Sequence, residues 1–106
     1  MYIQVKAGND RFTNRGWQSE IESLVEGTLR RFADRLTSVD VFISAENDRQ
    51  DEGECDKQCV IEAQVKDLQP VAVRAHAPMF SLAVADCAEK MERTLARRFG
   101  AAPEPN

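Results

Sequence analysis

Residues 2 to 7 alternate, with Ile3, Val5 and Ala7 on one side and Tyr2, Gln4 and Lys6 on the other. That two-residue period predicts a half-buried strand. Gly8, Asn9 and Asp10 break it, and Thr13, Asn14 or a Ser19-x-x-Glu22 box can cap a helix that begins by about Trp17. From there the period changes. Trp17, Ile21, Leu24, Val25, Leu29, Phe32 and Leu36 recur every three or four residues and form one apolar stripe, opposite Glu22, Glu26, Arg30 and Asp34. Gly27 is a mild weakness in mid-helix.

Thr37 and Ser38 read as a turn, after which Val39 to Ala45 alternates again, with Asp40, Phe42 and Ser44 facing outward. Residues 47 to 57 are polar, charged and contain Gly53, the pattern of a long, mobile hairpin loop. Cys59, Ile61, Ala63 and Val65 form the inward set of a third strand. A turn at residues 67 to 69 leads to a fourth strand carrying Val71, Val73 and Ala75, ended by Pro78. The last helix, Ser81 to Phe99, is the best specified. Val84, Cys87, Ala88, Met91, Leu95 and Phe99 share one side, Lys90, Arg93 and Arg97 lie nearly opposite with Asp86, and Gly100 supplies the stop. The proline-rich tail, residues 101–106, is expected to be disordered.

The predicted order is β-α-β-β-β-α. Strands joined through a helix should be parallel neighbours, and the next two should continue as an antiparallel meander. Each strand has one apolar side, so both helices must cover the same face. The fold class is therefore α+β, a two-layer sandwich with a four-stranded mixed sheet, in one domain over residues 1–100. Tyr2, Gln4, Phe42, Glu62, Gln64, Arg74 and His76 are left on the open face.

Charge changes this picture more than composition does. The chain has 106 residues and a net charge of −4, which by itself argues against a nucleic-acid partner. Yet Glu46, Asp48, Asp51, Glu52, Glu54 and Asp56, against Arg49 alone, give one segment a charge of −5, and the rest of the chain sums to about +1. No apolar run approaches the roughly 20 residues of a membrane span, and the expected location is the cytoplasm.

Cys55, Cys59 and Cys87 are an odd set, unlike a disulfide framework. With His76 they could be assembled into a zinc site. Against that stand the loose Cys-x-x-x-Cys spacing and the apolar side on which Cys87 lies, and the simpler reading is one core thiol and two thiols in or beside the loop. No phosphate loop, serine-histidine-acid set or paired carboxylates appears, so neither an enzyme, a cofactor nor a small-molecule substrate is expected.

The run Phe32-Ala33-Asp34-Arg35-Leu36-x-x-Val39-x-Val41-x-Ile43-Ser44, followed by Ala83-Val84 and Lys90-Met91-Glu92-Arg93-x-Leu95, resembles the hibernation promoting factor and ribosome-associated inhibitor A family. The resemblance covers about Tyr2 to Phe99 and implies a stress or stationary-phase factor. Such a factor binds small-subunit rRNA in the channel used by mRNA and tRNA and so silences translation. Carried over position by position, Lys90, Arg93 and Arg97 match the basic stripe of the family's second helix, and Arg35 matches a further basic position. The first helix departs from the family, with Val25 and Thr28 where lysines or arginines are usual. The segment Ala77-Pro78-Met79-Phe80-Ser81 lacks the usual acidic residue and tyrosine. The acidic loop is longer than in short members, no dimerisation domain of the kind long members carry follows, and at most a weak homodimer is expected.

Helix, meander, helix is also the order of the double-stranded RNA-binding domain, in which cations meet phosphates and 2′-hydroxyls. Two alternatives stand beside the rRNA reading. The stripe can be a solvated face supported by local pairs such as Asp86 with Lys90 and Glu89 with Arg93, or the protein can be an interaction module of the same fold that has lost ribosome binding.

Overall fold

The computed structural model describes residues 1–7, 15–45 and 57–100, and the side chains of all of these except Arg15, Gly16 and Trp17. The elements are β1 (Tyr2–Ala7), α1 (Arg15–Leu29), a 3-10 segment (Arg30–Arg35), β2 (Leu36–Ala45), β3 (Lys57–Val65), β4 (Val71–Ala77) and α2 (Phe80–Arg98). The expected order and sandwich are present. The candidate caps Thr13 and Asn14, the Trp17 side chain, Cys55, the acidic segment 46–56 and the tail 101–106 lie outside what is described.

The sheet runs β1-β2-β3-β4. β1 pairs parallel with β2, Val5 opposite Val41, and the two remaining pairings are antiparallel, with Ile61 opposite Val41 on one side and Val73 on the other. Because side chains alternate across a strand, this register places the apolar positions of all four strands in one layer. Val39, Val41, Ile43, Cys59, Ile61 and Ala63 are buried beneath the helices, together with Val25, Leu29, Val84, Met91 and Leu95. α2 packs on β3 and β4, and α1 lies beside it and over β1. The other sheet face is open, and Lys6, Phe42, Val60 and Arg74 form a row straight across it.

One boundary differs from expectation. The apolar stripe from Trp17 to Leu36 reads as a single helix, but the α-helix ends at Leu29, tightens into the 3-10 segment, and gives way to strand at Leu36, not Val39. Thr37 and Ser38 therefore lie in β2. Leu36 pairs with Val65, an irregularity in the ladder follows between Leu36 and Ser38, and the Thr37 hydroxyl donates to the Gln64 carbonyl at 3.2 Å. Leu36 is buried as the stripe requires, but from a strand. A 3-10 turn rises faster than an α-turn, so it still buries Phe32 while releasing the chain to pair.

At its other end α2 stops as expected. Gly100 sits at φ +62°, where a side chain would be strained, and its N–H donates to the Arg97 carbonyl at 3.0 Å.

Candidate nucleic-acid interface

The α2 stripe is assembled by helical spacing alone: with Ala83, Cys87, Ala88, Met91 and Leu95 turned into the core, Lys90, Arg93 and Arg97 are all exposed. Lys90 does not extend freely. Its ammonium reaches past the edge of the sheet and donates to the Arg74 carbonyl of β4 at 2.8 Å. That contact fixes the side chain and leaves two further N–H donors for a ligand. Neither Asp86 with Lys90 nor Glu89 with Arg93 closes to an ion pair; among the described residues the ion pair formed joins Arg31 of the 3-10 segment to Glu92 of α2 at 3.6 Å. Among the described residues, no ion pair engages Arg93 or Arg97, although Asp86, Glu89 and Glu92 share their helix.

Arg35 is in a different place from the stripe. The 3-10 segment carries it to the C-terminal end of α2, where its guanidinium lies 4.5 Å from the centre of the Phe99 ring. Phe99 meets Phe32 at 5.4 Å with the planes tilted by 43°, and Arg31 covers Phe32 at 4.7 Å. The two helical elements are thus sealed at one pole by a column of arginine, ring, ring and arginine. Cations over ring faces are favoured electrostatically, and cations at a helix C-terminus complement its dipole. Arg97 and Arg98 occupy that last turn.

Arg30, Arg31, Lys66 and Arg98 were not singled out by spacing, although all are exposed near the same pole. A signal was available: the same triplet, Arg-Arg-Phe, opens the 3-10 segment at residues 30–32 and closes α2 at residues 97–99. The two phenylalanines meet in the contact between the stretches, and Arg31 of the first triplet covers Phe32. The exposed surface of α1 has the opposite sign. Glu20, Glu22 and Glu26 are exposed there, and no lysine or arginine occurs between Gln18 and Leu29.

Of the residues considered for zinc, Cys59, Cys87 and His76 are described, and the sheet keeps His76 apart from the two thiols. Cys59 and Cys87 face the core, where the Cys87 thiol donates to the Cys59 carbonyl at 3.3 Å, whereas His76 lies on the open face within 3.1 Å of Gln58 Oε1. Cys59 is thus a second core thiol and does not belong beside the loop. A hydrogen bond between the two thiols, reinforced by burial, pushes Cys59 well above its ordinary pKa. No group of three or more metal-binding side chains occurs among the described residues. Nor is any described helix long and apolar enough to cross a membrane.

The same architecture occurs in solved structures. The N-terminal domain of Thermus thermophilus Protein Y superposes with a TM-score of 0.71 at 14% identity, covering 92% of this chain and 99% of that one. A ribosomal subunit interface protein from Coxiella burnetii gives 0.64 at 16% identity, covering 94% and 99%. Identities this low establish a shared fold. No curated protein sequence matches the chain. The family model for sigma 54 modulation protein / S30EA ribosomal protein matches residues 13–100, a span that takes in both helices and three of the four strands. With the motifs at residues 32–44 and 90–95 inside that span, the chain belongs to the sigma 54 modulation protein / S30EA ribosomal protein family, the hibernation-factor family that those motifs resemble.

Proposed function

We propose that this protein binds rRNA of the small ribosomal subunit and silences translation by occupying the channel that mRNA and tRNA use. The observation that carries the reading is the band of exposed cations, Lys90, Arg93 and Arg97 along α2 and Arg35 at its C-terminal pole, on a chain whose net charge is −4. A cation at nearly every turn can meet successive phosphates, and each contact releases condensed counterions. Arg93 and Arg97 supply mobile charge, while Lys90, anchored on Arg74, supplies a fixed donor. Inhibition needs no catalytic group: the folded body excludes the nucleic acids, and the cations hold it in place.

One observation favours a second reading. The acidic exposed surface of α1, with Glu20, Glu22 and Glu26, fits a basic protein partner better than a phosphate backbone.

Co-sedimentation of the full chain with purified small subunits across a salt series separates the two. The rRNA reading predicts binding that weakens steeply with salt and is lost in Lys90→Glu/Arg93→Glu/Arg97→Glu, with circular dichroism confirming that the variant folds. Absence of binding at low salt, or full binding by the triple variant, refutes it. In the latter case Glu22→Lys/Glu26→Lys, which reverses the α1 surface, becomes the informative variant for a protein contact.

A further inference from the structure

Where the 3-10 segment, the β3–β4 turn and the C-terminus of α2 meet, a groove of about 280 Å³ is lined by Asp34, Arg35, Lys66, Asp67, Leu68 and Phe99. Three features set it apart from an ordinary surface depression. Arg35 lines it with a guanidinium carbon 4.5 Å from the centre of the Phe99 ring, and Phe99 is itself in contact with Phe32. The cation is therefore a preorganised platform while its side chain stays exposed.

Two carboxylates, Asp34 and Asp67, share the groove with Arg35 and Lys66, yet no ion pair among the described residues engages either acid. Their acceptor oxygens remain available. Finally, Asp67 holds φ at 61°, the left-handed region that aspartate, asparagine and glycine visit more readily than other residues. Glycine would sit there without strain. The turn instead keeps a carboxylate at its tip, fastened on one side by the Leu68 N–H, which donates to the Val65 carbonyl at 3.3 Å, and on the other by the Lys66 N–H, which donates to the Arg35 carbonyl at 2.9 Å.

The groove is just smaller than the roughly 300–1,000 Å³ of sites for drug-sized ligands, and so suits one planar group. Unpaired bases are held by stacking on aromatic rings or arginine planes and by hydrogen bonds to their Watson–Crick edges. A carboxylate can only accept there. Guanine offers two adjacent donors on that edge, N1–H and N2–H, which match the two oxygens of one carboxylate. Adenine and cytosine each place a ring-nitrogen acceptor next to their amino group, and uracil flanks its single N–H with carbonyl oxygens, so all three would turn a lone pair toward the acid.

We propose that this groove binds a single unpaired guanine, stacked on the exposed face of Arg35, with N1–H and N2–H donating to Asp67 and the nucleotide phosphate meeting Lys66. The proposal rests on the reading of the protein as an RNA binder and gives that binding a base-specific contact. A looped-out guanosine of RNA and a free guanosine nucleotide present the same chemistry.

The test is an NMR titration of the full chain, ¹⁵N-labelled, with GMP, AMP, UMP and inorganic phosphate in turn, and then with the single strands UUGUU and UUAUU. GMP should move the backbone resonances of Asp34, Arg35, Asp67, Leu68 and Phe99 and bind about tenfold or more tightly than AMP, the discrimination a good bidentate base contact supplies. Asp67→Asn, which tolerates the left-handed turn, should abolish the preference for GMP with the rest of the spectrum unchanged. Equal binding of GMP and AMP, shifts reproduced by phosphate alone, or shifts confined to α2 around Lys90 and Arg93 would each overturn the proposal. Tighter binding of UUGUU than of GMP identifies RNA as the source, and the reverse identifies the free nucleotide; both retain the guanine groove. No ribosome enters the titration, and none of the three residues changed in the sedimentation variant lines the groove. The two readings therefore fail independently.

Discussion

Cys59 shows how a single side chain can report on the core. It is fully buried between β3 and α2, and its hydrogen bond with Cys87, together with burial, holds its pKa above the ordinary 9.0. Below about pH 9 the thiol is protonated in both the folded and the unfolded chain, and its contribution to stability is whole. As pH rises further the unfolded chain releases the proton while the folded chain keeps it, so stability falls. Cys87, lowered by the same hydrogen bond, acts in the opposite direction and in another window: the folded chain releases that proton first, so stability rises as pH climbs toward about 9, and the contribution is level above it. Denaturant unfolding of the full chain between about pH 9 and 10.5 should show the decline. Cys59→Ala should flatten it while costing on the order of 1 kcal/mol at pH 7 for the lost packing. An unchanged slope in the variant would assign the effect to another group. The alternation of β3 already places Cys59 inward, but alternation says nothing about what lies above it. Contact with Cys87 depends on how α2 is set over the sheet, a tertiary fact with no local signal.

At the scale of elements, the helices show what periodicity can and cannot fix. Every position of the α1 stripe from Ile21 to Leu36, except the half-buried Leu24, is buried. The change from α-helix to 3-10 and then to strand after Leu29 left no trace in that stripe, because Phe32 and Leu36 are buried on either account. Apolar spacing reports burial, and here two different backbones bury the same residues. The helix ends are more informative, and glycine tests them in opposite directions. Gly27 lies inside α1 with nothing within 4 Å of where a Cβ would be. Gly27→Ala should therefore stabilise the fold by about 0.5–1 kcal/mol through helix propensity. Gly100 ends α2 at a positive φ, so Gly100→Ala, with equal space around it, should destabilise by about 1 kcal/mol. Urea midpoints at constant slope measure both. Equal signs for the two would mean that backbone conformation does not govern the end of α2. The pole beyond that end was only partly legible. Arg35 is part of the family motif, but its stacking on Phe99 joins residues 64 positions apart in sequence, and the two Arg-Arg-Phe triplets become meaningful only once the helices are side by side.

Over the whole molecule the charge is sorted, not balanced. Exposed cations gather along α2 and around its C-terminal pole, interleaved with the exposed acids Asp86 and Glu89; acids occupy the exposed surface of α1 from Gln18 onward, and the segment 46–56 carries −5 of a net −4. The sorting was visible in the sequence for α2 and the acidic segment, because charge runs are local; the opposition of α1 to α2 needed the layer packing. A negative flank beside a cationic band acts on a polyanion in two ways. It lowers the total attraction, and it disfavours every approach that brings the acidic side toward phosphate, which narrows the orientations in which the protein can dock. Replacing the six acids Glu46, Asp48, Asp51, Glu52, Glu54 and Asp56 by their amides removes six negative charges without shortening the chain and leaves the acids of α1 in place. Affinity for a generic RNA duplex should then rise about tenfold at low ionic strength, and the difference should shrink as added salt brings the screening length to a few ångströms. Affinity for the small subunit should rise less than affinity for the duplex if the acidic segment contributes orientation as well as repulsion. Equal gains for both would reduce its role to bulk charge, and unchanged affinity for either would remove the acidic segment from the account of binding altogether.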